Sequence, residues 1–252
     1  MNLRQLFLTN NDCYKAGKKI KPQGIMVHST GANNPYLRRY VGPDDGFLGK
    51  NQYNNHWNMS NEEAKKRFGK PLNVCVHAFI GKLKNGTIAT YQTLPWDHRG
   101  WHAGGKANDT HISFEICEDG LTDREYFNAV YREAVELCAY LCRQFNLTEK
   151  DIICHAEGAR LGIASNHSDV MHWFPKHGKN MDTFRADVKK ELEKLKGGAT
   201  VTDKNTPSSW AKEAWEWAKK EGITDGTNPQ GNVTREQVVT MLHRYHKQVA
   251  QK

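Results

Sequence analysis

The chain has 252 residues, of which 38% are hydrophobic and 10% aromatic, and it carries a formal net charge of +8. That length suits one packed domain of roughly 150–200 residues and a smaller second unit. No apolar run approaches the roughly 20 residues needed to cross a bilayer, so no membrane span is predicted. The positive charge favours a polyanionic partner. No dense Lys/Arg run is interleaved with aromatic residues, which argues against nucleic acid.

The cysteines and the N-terminus bear on the compartment in which the protein folds. Six cysteines occur, and none of them forms a CxxC pair. Several lie in apolar segments, as is typical of buried free thiols rather than of disulfides. The first ten residues lack the apolar stretch of a secretory signal. We therefore expect synthesis in the cytoplasm, and any action outside the cell would follow release by another route.

The first half of the chain predicts a strand and a hairpin. Residues 24–28, Gly-Ile-Met-Val-His, form a β-prone run, and a turn is expected at Ser29-Thr30-Gly31. Residues 73–81 and 87–92 flank Asn85-Gly86, a pair that favours a hairpin with a type I′ turn.

Two further strands and two helices follow. The alternation in residues 111–117 puts Glu115 and Phe114 on opposite faces of a strand. Residues 122–145 have helical apolar spacing after a Thr122-x-x-Glu125 capping box. Residues 152–154 predict a short strand, and residues 184–195 a second amphipathic helix. Together these elements indicate an α/β domain over residues 1–196, with helices packed on a mixed central sheet.

The remaining residues predict a linker and a small all-α unit. Residues 197–208 are small and polar, as is typical of a linker. Within residues 209–252, one helix is predicted from Trp210, with Trp217 on its apolar stripe, and a second from Thr234. A unit of fewer than about 60 residues buries only a modest core, so we expect it to dock on its neighbour or to form a homodimer.

Three positions far apart in the sequence carry groups suited to a metal ion. His28 ends a predicted strand, His155 follows one, and Asp169 lies in the loop beyond. Zinc hydrolases use three protein ligands and leave a fourth position for water or substrate. No HExxH motif is present, which disfavours the metallopeptidases that bind zinc through one helix. His167 and His172 lie close to Asp169 in the sequence and are alternatives for the third ligand.

Five segments, in this order, carry a resemblance to a known family. They are Ile25-Met26-Val27-His28-Ser29-Thr30, Val76-His77-Ala78-Phe79-Ile80 with the Asn85-Gly86 hairpin, Trp101-His102-Ala103-Gly104, Asn108-Asp109-Thr110-His111-Ile112-Ser113-Phe114-Glu115, and the loop from His155 to Asp169. Residues 20–195 thereby resemble the type 2 zinc-dependent N-acetylmuramoyl-L-alanine amidases. These enzymes are related to peptidoglycan recognition proteins and include many phage endolysins.

The resemblance implies roles for individual residues. His28, His155 and Asp169 match the three ligands of one zinc ion. Glu115 matches the carboxylate that activates water. His167 stands two positions before the third ligand, where the family usually has a lysine that stabilises the oxyanion.

Three more residues are expected near the substrate. Trp101 and His102 fit a groove wall on which a sugar ring packs, although a buried core position for the indole is the alternative. His77 is expected either to face the substrate or to support the ligands.

The implied function is hydrolysis of the amide between N-acetylmuramic acid and the first L-alanine of peptidoglycan, by a bacteriolytic, antimicrobial phage endolysin that reaches the wall after holin-type release. The alternatives are a non-catalytic peptidoglycan-binding module and a zinc peptidase that cuts the stem peptide. The C-terminal unit resembles a single S-layer-homology repeat, which implies attachment to anionic wall polymers. A helical hairpin for dimerisation is the alternative.

Overall fold

The computed structural model describes residues 1–197, 206–207, 211–227, 229, 231 and 233–248. The chain divides into two compact units, Met1–Glu193 and Lys194–Lys252. Most of the predicted linker 197–208 lies outside the described residues, and so does Trp210.

A six-stranded mixed sheet forms the centre of the first unit. Its strands are β1 (Leu3–Gln5), β2 (Gly24–Asn33), β3 (Ala78–Lys82), β4 (Ile88–Gln92), β5 (His111–Glu118) and β6 (Ile152–Cys154). Their spatial order is β1-β4-β3-β5-β2-β6. β3 and β4 are antiparallel, and the other neighbouring strands are parallel. The predicted α/β class with a mixed central sheet is therefore confirmed.

Helices flank this sheet. They are α1 (Asp12–Ala16), α2 (Asn61–Phe68), α3 (Arg124–Phe145), α4 (His155–Arg160) and α5 (Met181–Gly197). The longest, α3, buries one apolar face that includes Phe127, Val130, Leu137 and Leu141. That face packs with the β-sheet residues in one continuous core. The predicted amphipathic helix thus obtains its stability from burial against the sheet.

Three local details differ from the sequence predictions. The cap of α3 is Asp123 rather than Thr122, because the Asp123 carboxylate accepts the Tyr126 N–H at 3.0 Å. The hairpin turn is not type I′. A type I′ turn needs a positive φ at both Asn85 and Gly86, and only Gly86 has one, of 86°. β2 runs on to Asn33 with an irregular register beyond Ser29, where a turn was expected.

Strand alternation decides which side chains can reach the site. Ile25 and Val27 of β2 belong to the core that contains α3. His28 therefore faces the other side of the sheet. The same alternation in β5 buries Phe114 and Ile116 in that core and turns Glu115 towards the side of His28.

The second unit contains α6 (Lys212–Lys220) and α7 (Arg235–Gln248). Neither helix has a buried residue, and Ile223 is the only buried residue among those described between 211 and 248. Across the described part of the chain, no helix has the length and apolar character needed to cross a membrane. All six cysteines are free, and all but Cys13 are buried.

Candidate metal centre

Three neighbouring parallel strands bring the predicted residues together. In the register of β2 and β5, His28 is paired with Glu115. In the register of β2 and β6, Val27 is paired with Cys154, and His155 is the residue directly after this last pair. Since the carboxyl ends of parallel strands lie along one edge of a sheet, these side chains converge there. Asp169 reaches the same place from the loop that follows α4.

The three side chains lie close enough together to bind one metal ion. His28 Nδ1 lies 3.0 Å from Asp169 Oδ2 and 3.1 Å from His155 Nδ1. His155 Nδ1 lies 3.6 Å from Asp169 Oδ2. The His28 and His155 side chains are only 2% and 5% exposed, and that of Asp169 is 13% exposed. These three groups form the one His/Cys/Asp/Glu cluster in the described residues that could hold a metal ion.

The protonation states of the cluster suit metal binding. Burial lowers the pKa of His28 and outweighs the hydrogen bond and charge of Asp169, which act in the opposite direction. Burial also acts to raise the pKa of Asp169. The hydrogen bonds and charges of His155 and His28 outweigh it and hold that pKa well below its usual value. A neutral imidazole and an ionised carboxylate are the forms that bind a cation.

The donor set fits zinc. Two imidazole nitrogens and one carboxylate oxygen are a common ligand set of catalytic zinc, with a fourth position left for water or substrate. The two alternatives for the third ligand have other partners. His172 Nε2 lies 2.9 Å from Glu118 Oε1. His167 Nδ1 lies 3.0 Å from Ser165 Oγ.

Glu115 is half-buried, and its carboxyl group lacks a full set of partners. Its Oε2 atom is buried and has no hydrogen-bond partner among the residues that the structure describes. Burial, and then the charges of Asp169 and Glu118, raise its pKa well above the usual value. A buried oxygen atom without a hydrogen bond costs free energy. Beside a metal cluster, such a group is suited to proton transfer.

The remaining predicted residues occupy distinct positions. His167 is exposed, and its ring centroid lies 4.6 Å from that of His155. Trp101 is 47% exposed, with the Arg99 guanidinium 5.1 Å from its ring centroid. The exposed indole therefore does not take the core position that was the alternative.

His77 is buried, whereas His102 is half-buried. His77 is fully buried, with Nε2 at 2.7 Å from the His98 carbonyl and Nδ1 at 3.0 Å from the Ser113 N–H. It offers no free nitrogen to a substrate, and burial lowers its pKa to about 4. His102 Nδ1 lies 3.0 Å from His28 Nε2, so its direct contact is with a candidate ligand.

Sequence reasoning missed the contacts of Ser165 and Asn108. Ser165 Oγ lies 3.2 Å from His155 Nε2. Asn108, which is 2% exposed, accepts the backbone N–H groups of His102 and Ala103 through Oδ1, both at 2.8 Å. Asn108 lies inside a segment that resembles the family, and Ser165 lies in the loop between His155 and Asp169. Nothing in their type or spacing indicates which backbone groups or rings they contact.

Comparisons with solved structures show the same fold. The Staphylococcus aureus hydrolase AmiA, solved in complex with its ligand, is 16% identical, with a TM-score of 0.55 over 79% of this chain and 87% of that one. PlyL is 20% identical, with a TM-score of 0.50 over 75% and 98% of the two chains. The PlyG catalytic domain is 19% identical, with a TM-score of 0.50 over 82% and 100%. At these identities the likeness concerns the fold alone.

Sequence comparison identifies the family. No curated protein matches the chain. The family model described as N-acetylmuramoyl-L-alanine amidase matches residues 18–175, which include His28, Glu115, His155 and Asp169. This match spans more than half of the 252 residues. The chain therefore belongs to the N-acetylmuramoyl-L-alanine amidase family of peptidoglycan amidases.

Proposed function

We propose that this protein is a zinc-dependent amidase that cleaves the bond between N-acetylmuramic acid and the first L-alanine of the stem peptide. The observation that carries the proposal is the largely buried His28–His155–Asp169 cluster beside Glu115, whose buried Oε2 atom has no hydrogen-bond partner among the described residues. A binding module without catalysis needs neither a complete ligand set nor a buried base.

Each residue of the cluster and around it has a separate role in the reaction. A zinc ion held by His28, His155 and Asp169 would supply a Lewis acid at the scissile carbonyl. Glu115 accepts a proton from the attacking water and delivers it to the leaving amine, so the protons balance over the reaction. His167, exposed beside His155, donates an N–H hydrogen bond to the developing oxyanion. Trp101 offers an exposed indole face to a sugar ring.

The biological setting that we propose is that of a phage endolysin. The basic charge of +8 favours anionic wall polymers, and the C-terminal unit, which resembles an S-layer-homology repeat, would attach the enzyme to them. Release from the cytoplasm would follow a holin-type route. The alternative for this unit is dimerisation through α7, where Val239 and Leu242 are 65% and 61% exposed.

The decisive experiment is mass spectrometry of purified walls after digestion, together with a metal measurement on the protein. We expect intact stem peptides with free N-terminal alanine and glycans with free lactyl groups. We also expect one zinc ion per chain. Fragments cut within the stem peptide would contradict the amidase activity and identify the protein as a peptidase instead. Unchanged walls and no bound zinc would support the binding module.

A separate experiment tests the C-terminal unit. The full chain and a chain that ends at Gly197 are compared by sedimentation with wall fragments and by analytical ultracentrifugation. Loss of wall binding in the shortened, still monomeric chain supports attachment. A full chain that sediments as a dimer, with the shortened chain a monomer, supports dimerisation instead.

A further inference from the structure

The outer ring nitrogens of the two candidate histidine ligands also have partners. His28 and His155 both direct Nδ1 into the cluster. On the far side of each ring, His28 Nε2 lies 3.0 Å from His102 Nδ1, and His155 Nε2 lies 3.2 Å from Ser165 Oγ. Each ligand ring is therefore held at both of its nitrogens.

Counting hydrogens gives the direction of the bond to His102. An imidazole that binds a metal through Nδ1 carries its hydrogen on Nε2. His28 must then donate from Nε2 to Nδ1 of His102. The hydrogen of a neutral His102 is consequently on its own Nε2, a buried atom with no hydrogen-bond partner in the described part of the chain. The His102 ring thus gives up a hydrogen bond of its own while it accepts the one from His28.

The same count applies to Ser165. Its Oγ accepts the Nε2 hydrogen of His155, and its own hydroxyl hydrogen has two nearby acceptors. These are the Ala103 carbonyl at 3.1 Å and His167 Nδ1 at 3.0 Å. Ser165 thereby connects a candidate ligand, His155, to the residue proposed to stabilise the oxyanion, His167.

The backbone holds these two side chains in place. The His102 N–H is held by the buried Asn108 amide at 2.8 Å, and the Ser165 N–H donates to the Ala103 carbonyl at 2.7 Å. Gly104 permits this approach, because a Cβ atom there would lie 2.8 Å from Ser165 Oγ and its φ is +63°. The loop with His102 and the loop with Ser165 are therefore locked to each other.

We propose that His102 and Ser165 are positioning residues that fix the tautomer and orientation of His28 and His155 and so set the affinity for zinc. The inference rests on the proposed zinc site. Partners of this kind typically change metal affinity by about 10–100-fold when they are removed.

The test measures zinc affinity of the full chain by competition with a chromophoric chelator. We expect His102→Phe and Ser165→Ala each to bind zinc about 10–100-fold more weakly than the wild type. His102→Asn keeps an acceptor where His102 Nδ1 lies, and Ser165→Thr keeps the hydroxyl. Both conservative variants should recover most of the affinity, which a merely space-filling role would not predict.

Matched controls come from residues outside the two contacts. His111→Phe removes a histidine bonded to the Thr110 hydroxyl at 2.8 Å, and Ser168→Ala removes an exposed serine of the same loop as Ser165. Both should bind zinc like the wild type. Thermal unfolding of each metal-free variant, followed by circular dichroism, shows whether it is folded. If His102→Phe or Ser165→Ala does not fold, the zinc affinity of His102→Asn or Ser165→Thr is compared with that of the wild type instead.

The outcomes separate this inference from the proposed function. A wild type that binds no zinc would overturn the zinc site itself. A zinc-binding wild type with equal affinity in His102→Phe and Ser165→Ala would overturn the positioning role alone. Long-range proton–nitrogen spectra of the zinc-loaded protein add a direct readout. We expect a hydrogen on Nε2 of both His28 and His155, and a hydrogen on Nδ1 of either would contradict the proposal.

Discussion

The two units of this chain differ in how they use their apolar residues. In the first unit, Phe114, Phe127 and Trp173 are at most 1% exposed and belong to one core under the sheet. In the second unit, Ile223 is the only buried residue among those described, and Leu242 on α7 is 61% exposed. A short chain buries too little surface to be held firmly by its own core.

This contrast corresponds to a difference in what each unit can do. Catalysis needs groups held within about 0.5 Å of a working geometry, and only packed elements supply that precision. The first unit has such elements, with His28 and Glu115 on neighbouring strands of the sheet. The second unit offers exposed apolar and charged side chains, which suit a surface that gains stability from a partner.

The largest expected effect is on the rate of hydrolysis, and it compares one carboxyl group in each unit. Glu115→Gln should lower the rate of hydrolysis of a soluble muramyl peptide by about 10²–10⁴-fold, because it removes the general base. Its zinc content should not fall, because Glu115 is not a ligand. Glu236→Gln, on the exposed α7, is the matched control and should keep the wild-type rate. Equal rates for Glu115→Gln and the wild type would contradict the mechanism.

The next effect compares how much one apolar side chain of each unit contributes to the free energy of unfolding. Phe127→Ala should cost about 3–5 kcal/mol in the free energy of unfolding, because it leaves a cavity beside Trp173 and Phe174. Leu242→Ala should change it by no more than about 0.5 kcal/mol. Urea unfolding measures both. A large loss for Leu242→Ala that depends on protein concentration would show that a second copy covers α7.

A smaller effect is expected from the pH dependence of stability. Burial acts to raise the pKa of Asp45, but the Tyr91 hydroxyl at 2.6 Å and the N–H groups of Phe47 and Leu48 outweigh it, so this pKa is lowered. A lowered pKa stabilises the folded state above about pH 4, and this contribution is lost as the pH falls through the folded value.

Asp45→Asn should therefore destabilise the protein near neutral pH by about 1 kcal/mol or less, since the carboxylate is largely exposed. The difference from the wild type should close below about pH 3. Glu236→Gln, on the exposed face of α7 in the second unit, is the control and should match the wild type throughout. Urea unfolding at a series of pH values tests this pair, and a difference that grows in acid would reverse the assigned sign.

The smallest effect is expected from removal of the second unit. A chain that ends at Gly197 keeps all of α5 and the core of the first unit. Its melting temperature should lie within about 2 °C of the wild-type value, which corresponds to less than about 1 kcal/mol. Calorimetry measures this shift. A fall of more than about 5 °C would mean that the first unit depends on the second for its stability.

The sequence by itself determined the sheet-and-helix class and most of the elements that carry the site. Alternation in β5 and helical spacing in α3 are strong local patterns, because each element must bury one face. The positions of His28 and Glu115 on strands, and of His155 directly after one, followed from the same patterns. Their metal-binding and catalytic roles came from the resemblance to the amidase family, and their assignment at the level of single residues stays a prediction.

Only the tertiary structure decided which side chains meet. It put Asp169 rather than His172 beside His28 and His155, and it gave His102 a contact with His28. The contact of Ser165 with His155 likewise depends on two loops that close on each other. Such contacts arise from the register of distant strands and from backbone bonds between loops. A linear pattern of residue types does not encode these distances.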